Sequence, residues 1–158
     1  MARTPVSSPA GFTLLEMMLV VALGLVITAI ALPNLRSTTE TYRLSTGAVA
    51  VASKVHQART NALKRNRPSW VLVDGTARSV RVQSTDAGGN VVDIDGPEFM
   101  PSGIVFASGP GTVTLAFDSM GRPVNPPQTI QLLYPGSGLG LSRTITVTST
   151  GRVTNTSP

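Results

Sequence analysis

Gly11-Phe12-Thr13-Leu14-Leu15-Glu16-Met17-Met18-Leu19-Val20 opens a stretch that stays apolar as far as Leu32 and holds a single formal charge, Glu16. As a helix rising roughly 1.5 Å per residue, these about 21 residues span roughly 30 Å, the thickness of a bilayer's hydrocarbon core. The remaining residues are ordinary in composition, so one membrane segment and one soluble domain is the economical reading. With 158 residues there is room for one domain with its own core plus a helical extension, and a large multidomain enzyme is excluded. An ordinary secretory signal competes with this reading, because Ala29-Ile30-Ala31 has the small-x-small form that would free a soluble domain at Ala31. Three features oppose it. The run exceeds the usual length of about 7–15 residues, an acid sits inside it, and residues 1–10 are polar with Arg3 their one charge.

A lone carboxylate in hydrocarbon costs on the order of 2.5–3.5 kcal/mol, so Glu16 calls for a partner. A cut after Gly11 would place a new amine on Phe12, one helical turn from Glu16 and opposite in charge. That amine can meet Glu16 of its own chain or of a neighbour. The second pairing would be an assembly contact in a dry medium, where a wrong axial stagger strands two charges. The alternative is an acid close enough to the membrane surface to reach water or take up a proton.

These residues closely resemble the amino-terminal signature of type IV pilins and type II secretion pseudopilins. The resemblance implies that a prepilin peptidase cuts between Gly11 and Phe12 and methylates the new Phe12 amine, and that Glu16 is the assembly glutamate. Pro33 falls where many pilins carry a helix-kinking proline.

Beyond Pro33 the charge is uneven. Arg36, Arg43, Lys54, Arg59, Lys64, Arg65 and Arg67 face Glu40 alone, whereas residues 68–158 hold five arginines against six acids. The basic character therefore belongs to the expected helix, and a high pI does not make the β region a nucleic-acid binder. Leu44, Ala48, Val51, Ala52, Val55, Ala58 and Ala62 recur at helical spacing, with Lys54, Arg59 and Lys64 expected largely off that face. Gly47 weakens this helix locally, and Pro68 stops it after a basic cluster suited to a helix carboxyl end. Residues 70–74 and 79–83 flank Gly75-Thr76-Ala77 as a hairpin, and further strands are expected at 91–94, 104–107, 113–117, 129–134 and 144–148. The expected fold class is α+β and pilin-like: a long amino-terminal helix, transmembrane in its first half, packed on a mostly antiparallel β domain.

Two turns echo each other, Ser119-Met120-Gly121-Arg122 and Ser149-Thr150-Gly151-Arg152, each with a glycine for a tight reversal and an arginine to start the returning strand. Together with residues 55–62, 117–123 and 145–153, they make the carboxyl-terminal domain similar to the GspH/FimT group of minor pseudopilins and minor pilins. Some FimT-like pilins bind DNA through a basic carboxyl-terminal hairpin with two arginines separated by one residue after glycine. Here Thr154 stands where the second arginine would be, and Arg122, Arg143 and Arg152 form a patch only if the fold gathers them. Tyr134 is the main aromatic in reach for stacking.

Little else suggests chemistry. His56 is the only histidine, there is no cysteine, no serine has a histidine and acid arrangement, and no glycine-rich phosphate loop follows a strand. No catalysis, metal or cofactor is expected. Asp93 and Asp95 alternate in a strand pattern that puts both on one face, for solvation or at most weak calcium binding.

The resemblance orders these pieces. Residues 1–11 are a leader peptide, 12–32 a transmembrane and assembly helix, 33–67 an amphipathic helix continuing into the soluble domain, and 68–158 a β-rich periplasmic domain. The implied role is a minor pilin or pseudopilin in the bacterial inner membrane, added to a periplasmic filament of a type II secretion or type IV pilus assembly. Its implied partners are other pilin or pseudopilin subunits, the prepilin peptidase, an inner-membrane assembly platform and the lipid bilayer. The alternative is a DNA-binding minor pilin for natural transformation.

Overall fold

The computed structural model of the chain describes residues 11–124, 126–138 and 140–157, without the side chains of residues 33, 34, 36 and 137. The expected leader thus lies outside the described residues apart from Gly11, as does the Pro33 side chain. One helix, α1 (Leu14–Arg65), runs for 52 residues. The chain divides into two compact units, Met1–Thr38 and Thr39–Pro158.

The second unit holds the rest of α1 and eight strands. They are β1 (Ser69–Asp74), β2 (Ser79–Thr85), β3 (Val91–Phe99), β4 (Val105–Phe106), β5 (Thr112–Phe117), β6 (Gln128–Leu133), β7 (Ser142–Val147) and β8 (Val153–Thr156). They form two four-stranded sheets ordered β3-β2-β1-β5 and β4-β6-β7-β8, and every pairing is antiparallel. The expected class, a long helix packed on antiparallel sheets, is the one observed.

The packing follows the sequence periods. Leu44, Ala48, Val51, Val55, Ala58 and Ala62 of α1 are buried, and Ala52 is half-buried at the margin of the stripe. They join one cluster with Val71, Val73, Val80, Val82, Leu115 and Phe117 of the first sheet and Ile130, Leu132, Ile145 and Val147 of the second. Each fully buried valine, leucine, isoleucine or phenylalanine contributes roughly 1.5–3 kcal/mol, so α1 is held by its contact with both sheets rather than by propensity. Gly47 is an example. A Cβ there would stand 2.9 Å from Ile104 Cδ1, and Arg43 Nη1 donates to Ser102 Oγ at 3.1 Å, so the 100–104 loop lies close against the helix. The roughly 1 kcal/mol that glycine costs a helix is offset by that approach.

Three expectations change. Lys54 does not lie off the packed face: it is 6% exposed, its aliphatic stem lying along apolar surface while its ammonium meets carboxylates. Strand β3 is nine residues long rather than the expected four, an edge strand that carries Asp93, Asp95, Pro97 and Glu98, residues that discourage edge-to-edge pairing. Asp93 and Asp95 do not share a face. Between the pairs Val82↔Asp95 and Gln83↔Asp93, one step along β2 matches two along β3, so the register shifts and alternation fails. Asp93 sits with Arg81 and Gln83, taking a hydrogen bond from Gln83 Nε2 at 2.7 Å, whereas Asp95 lies opposite buried Val82 and turns to α1. The two carboxylates, expected on one face, are therefore not paired.

Candidate assembly site

Gly11, Phe12 and Thr13 lead into α1 without belonging to it. Among the described residues nothing lies within 4 Å of where a Gly11 Cβ would be, and Phe12 is 77% exposed. Thr13 begins the helix: its Oγ1 accepts from the Glu16 backbone N–H at 3.2 Å, and its carbonyl accepts from the Glu16 and Met17 N–H groups at 3.1 and 3.2 Å. Thr13-Leu14-Leu15-Glu16 thus has the spacing of a capping box, with Glu16 at the third helical position, where the positive end of the helix dipole favours an acid. The T-x-x-E spacing is legible in the sequence and gives Glu16 a local role at the helix start beside any pairing with an amine.

From Met17 to Leu32 the helix is apolar on every side and exposed on every side. Leu14, Leu15, Met18, Leu25, Ile27 and Ile30 are all largely accessible, and among the described residues α1 is the one helix long and apolar enough to cross a membrane. A helix that is hydrophobic all round must be covered by lipid or by other helices. Thr28 is its one hydroxyl between Leu14 and Leu32, and that hydroxyl is bonded back to the Gly24 carbonyl at 2.7 Å.

Several charged groups of the second unit make internal contacts. Lys54 Nζ lies 2.6 Å from Asp95 Oδ2 and 3.5 Å from Glu98 Oε2, and Gln57 Nε2 donates to the same Asp95 oxygen at 3.3 Å. These contacts join the edge strand β3 to α1. The Lys54 hydrogen bond, reinforced by Gln57, holds the Asp95 carboxyl below its ordinary range. Because both carboxylates are half-exposed, replacing Lys54 by methionine releases them to water and leaves an apolar chain in an apolar slot. Lys54→Met is expected to unfold in urea within about 1 kcal/mol of the parent or somewhat later. Asp95→Ala, which takes from the buried ammonium the nearer of its two carboxylates and leaves only Glu98, is expected to unfold earlier.

The two echoing turns share one construction. Asp118 N–H donates to the Arg122 carbonyl at 2.9 Å and Thr148 N–H to the Arg152 carbonyl at 3.0 Å, while Gly121 and Gly151 donate back to the Asp118 and Thr148 carbonyls. Both glycines have left-handed backbones, φ 68° and 74°, and both press on α1: a Cβ would stand 2.7 Å from Leu63 Cγ and 2.9 Å from Arg59 Cζ. Arg59 and Leu63 are one helical turn apart, so the two turns are seated on neighbouring turns of the helix. Arg59 Nη1 and Nη2 donate to the Gly151 and Thr150 carbonyls at 2.8 and 3.3 Å, fastening the second turn.

The arginines proposed for DNA are only partly gathered. Arg122 is held by Asp118, Nε to Oδ2 at 3.0 Å. Arg152 is exposed and immediately precedes a returning strand, β8, whereas after Arg122 the return is one bridge, Phe117↔Pro123. Arg143 sits opposite Leu132 near the start of β7, and Arg152 pairs with Thr148 beyond the other end. Five strand residues, roughly 17 Å, separate the two positions. Thr154 turns its hydroxyl to the Thr146 carbonyl at 3.4 Å.

Three carboxyls are held below their ordinary value of 3.8: Asp86 by the Asn90 backbone and side chain, Asp95 by Lys54, and Asp118 by the Arg122 backbone N–H. Between folded and unfolded values the unfolded chain binds more protons, so their contribution is full above about pH 4 and lost as pH falls through the folded values. Acid titration of the detergent-solubilised chain, followed by Trp70 fluorescence, is expected to show a loss confined below about pH 4, with a smaller acid limb in Asp118→Asn.

Residues 48–151 match the family described as Type II transport protein GspH. The chain belongs to the GspH family. Residues 7–32 match the prokaryotic N-terminal methylation motif, which covers the Gly11–Phe12 bond and Glu16. No curated protein matches the sequence. Among solved structures, the minor pseudopilin EpsH from the type 2 secretion system of Vibrio cholerae is 15% identical, with a TM-score of 0.60 over 73% of this chain and 98% of that one. The type IV minor pilin FimU of Pseudomonas aeruginosa is 16% identical, with a TM-score of 0.53 over 77% of this chain and 96% of that one. At these identities the likeness is one of fold. This GspH-family chain thus has the architecture of the minor pseudopilins and minor pilins, with the methylation motif ahead of it.

Proposed function

We propose that this GspH-family chain is a minor pilin or pseudopilin, a structural subunit of a type II secretion or type IV pilus assembly. The observation that carries the reading is the register of Gly11, Phe12 and Glu16 at the start of a helix that as far as Leu32 is apolar and uncovered on every side. Residues 1–11 act as the leader, removed by a prepilin peptidase that methylates Phe12. Residues 12–32 store the subunit in the inner membrane, with residues 33–67 and the β domain of residues 68–158 on the periplasmic side.

On the assembly platform the apolar helix leaves lipid and packs on equivalent helices of other subunits. Glu16 meets the Phe12 amine of a neighbour, which removes the cost of a lone carboxylate and sets the axial stagger. Pro33, which cannot donate to the helix ladder, gives α1 a place to bend on insertion. The role is structural throughout, and the β domain faces outward to partners.

Expressing the full chain with and without a prepilin peptidase tests this. A shorter, membrane-associated form that enters sheared filaments is expected only with the peptidase. Equal processing in its absence contradicts the reading.

A further inference from the structure

The edge of a β-sheet carries a row of backbone N–H and C=O groups with no strand to meet, and folded proteins guard most such edges. The two sheets have four edges, and three of them are guarded. Strand β3 has two register shifts and carries Asp93, Asp95, Pro97 and Glu98. Strands β4 and β8 are short, two and four residues long. Strand β5 is the exception: its six residues, Thr112–Phe117, hold no charge and no proline, and its pairing with β1 runs without a break.

The register fixes which way each β5 residue turns its backbone. Gly75 N–H donates to the Gly111 carbonyl, so along the β1–β5 ladder Val113, Leu115 and Phe117 exchange bonds with β1, while Thr112, Thr114 and Ala116 turn theirs outward. The Ala116 carbonyl accepts from Val124 N–H at 2.9 Å, which closes that end of the edge. The outward groups of Thr112 and Thr114 find no partner among the described residues. On β6, Ala107 N–H donates to the Gln131 carbonyl and Tyr134 N–H to the Leu141 carbonyl. By the same alternation Thr129 turns its backbone to the β4 side, past the end of β4. A cavity of about 320 Å³ borders both open edges, lined by Val73 and Val113 of the first sheet and by Ala107, Thr129 and Ile130 from beside and within β6. Among the described residues no charged side chain lines it.

Unpaired backbone donors and acceptors at strand spacing are matched by an extended backbone, which offers the same groups at the same spacing. A helix, whose backbone is bonded to itself, cannot match them. We propose that the open edge of β5, Thr112 to Leu115, docks an extended segment of another protein by strand addition. The paired stretch is short, about four residues or roughly 13 Å, because Val124 already covers Ala116. Every second side chain of the segment turns into the cavity, which suits uncharged apolar groups, and the others turn to water. Proline is excluded where the segment must donate to the Thr112 and Thr114 carbonyls. The surface lies wholly within the β domain, so the inference goes beyond the processing and anchoring proposed above and does not depend on them.

The probe is a capped heptapeptide alternating valine and threonine, N-methylated on every second residue so that it offers one pairing edge and does not stack on itself. Amide hydrogen exchange of the detergent-solubilised full chain is read residue by residue with and without the peptide at about 1 mM. The Thr112 and Thr114 amides, open in the free chain, are expected to slow by roughly tenfold or more, with no change at Val153 and Asn155 on the β8 edge. The same peptide methylated at every nitrogen is expected to give no slowing. Thr114→Pro is expected to abolish the peptide's effect at Thr112 while keeping the fold, because proline there removes an N–H that β1 does not use. If that chain fails to fold, the comparison of the two peptides on the parent still decides. Unchanged exchange at Thr112 and Thr114, equal slowing by both peptides, or slowing at β8 instead overturns the proposal. Slowing that follows the concentration of the chain alone, without peptide, also overturns it, by assigning the edge to a second copy.

Discussion

The chain carrying Glu16→Ala is expected to insert and to be cut after Gly11 as the parent is, yet to fall by roughly a hundredfold in sheared filaments, the equivalent of an assembly contact of about 2.5–3.5 kcal/mol. Insertion survives because alanine is cheaper in hydrocarbon than a carboxylate, and cleavage survives because the Gly11–Phe12 bond stands clear of the helix. Assembly suffers because the neighbour's Phe12 amine would enter a dry bundle with no acid to meet. Glu16→Gln separates this from the helix start, since glutamine keeps the polar third position of a capping box and loses only the charge. If pairing is what matters, glutamine fails as alanine does. Full assembly of Glu16→Gln would assign the residue to capping Thr13 instead.

The largest expected loss of fold stability comes from Gly75→Ala. Gly75 lies in the β1–β2 turn, where its N–H donates to the Gly111 carbonyl at 3.0 Å. The Asp74 carboxylate accepts from the Thr76 and Ala77 N–H groups, and Thr76 Oγ1 donates to the Pro110 carbonyl at 2.6 Å. The turn is thereby locked onto the 107–111 loop. An alanine Cβ would stand 1.9 Å from the Gly109 carbonyl oxygen and 2.9 Å from that of Gly111, both backbone atoms that no rotamer change can move. A cost of about 3 kcal/mol, the upper end for overpacking, is expected, lowering the urea midpoint by about 1–2 M. Gly47→Ala is the contrast: its Cβ would crowd the Ile104 side-chain tip at 2.9 Å and meet Met100 and Leu132 at ordinary contact distance, all side-chain atoms, and the gain in helix propensity opposes that crowding.

Much of this was legible in the sequence where one period governs. The apolar run after Glu16 and the stripe from Leu44 to Ala62 fix the helix to within two residues at either end, because burial on one face leaves a regular trace. The β1–β2 hairpin was equally plain. What was hidden depended on tertiary reach or on parity. Lys54 looks like a surface cation because its charge says nothing of where a four-carbon stem lies. Asp93 and Asp95 look like a pair because alternation assumes an unbroken register, and the shift against β2 breaks it. Gly47 looks like a helix defect until Ile104, distant in sequence, is placed against it.

The candidate site divides in the same way. Glu16 stood out because a charge in an apolar run demands an explanation, and Gly11 and Phe12 because the run resembles a known processing signature, whereas the Thr13-x-x-Glu16 spacing also carries a helix cap. Arg122, Arg143 and Arg152 were not resolvable from spacing, since their proximity depends on which strand ends meet. The fold puts the turns bearing Arg122 and Arg152 on neighbouring turns of α1 and leaves Arg143 towards the far end of β7.

Mass spectrometry of the mature chain tests the central claim most directly. The account predicts an amino terminus at Phe12, carrying a methyl group on its amine, on a protein recovered from membranes. A mature chain beginning at Leu32, after the Ala29-Ile30-Ala31 sequence, would contradict it and make residues 12–31 a discarded signal rather than an assembly helix.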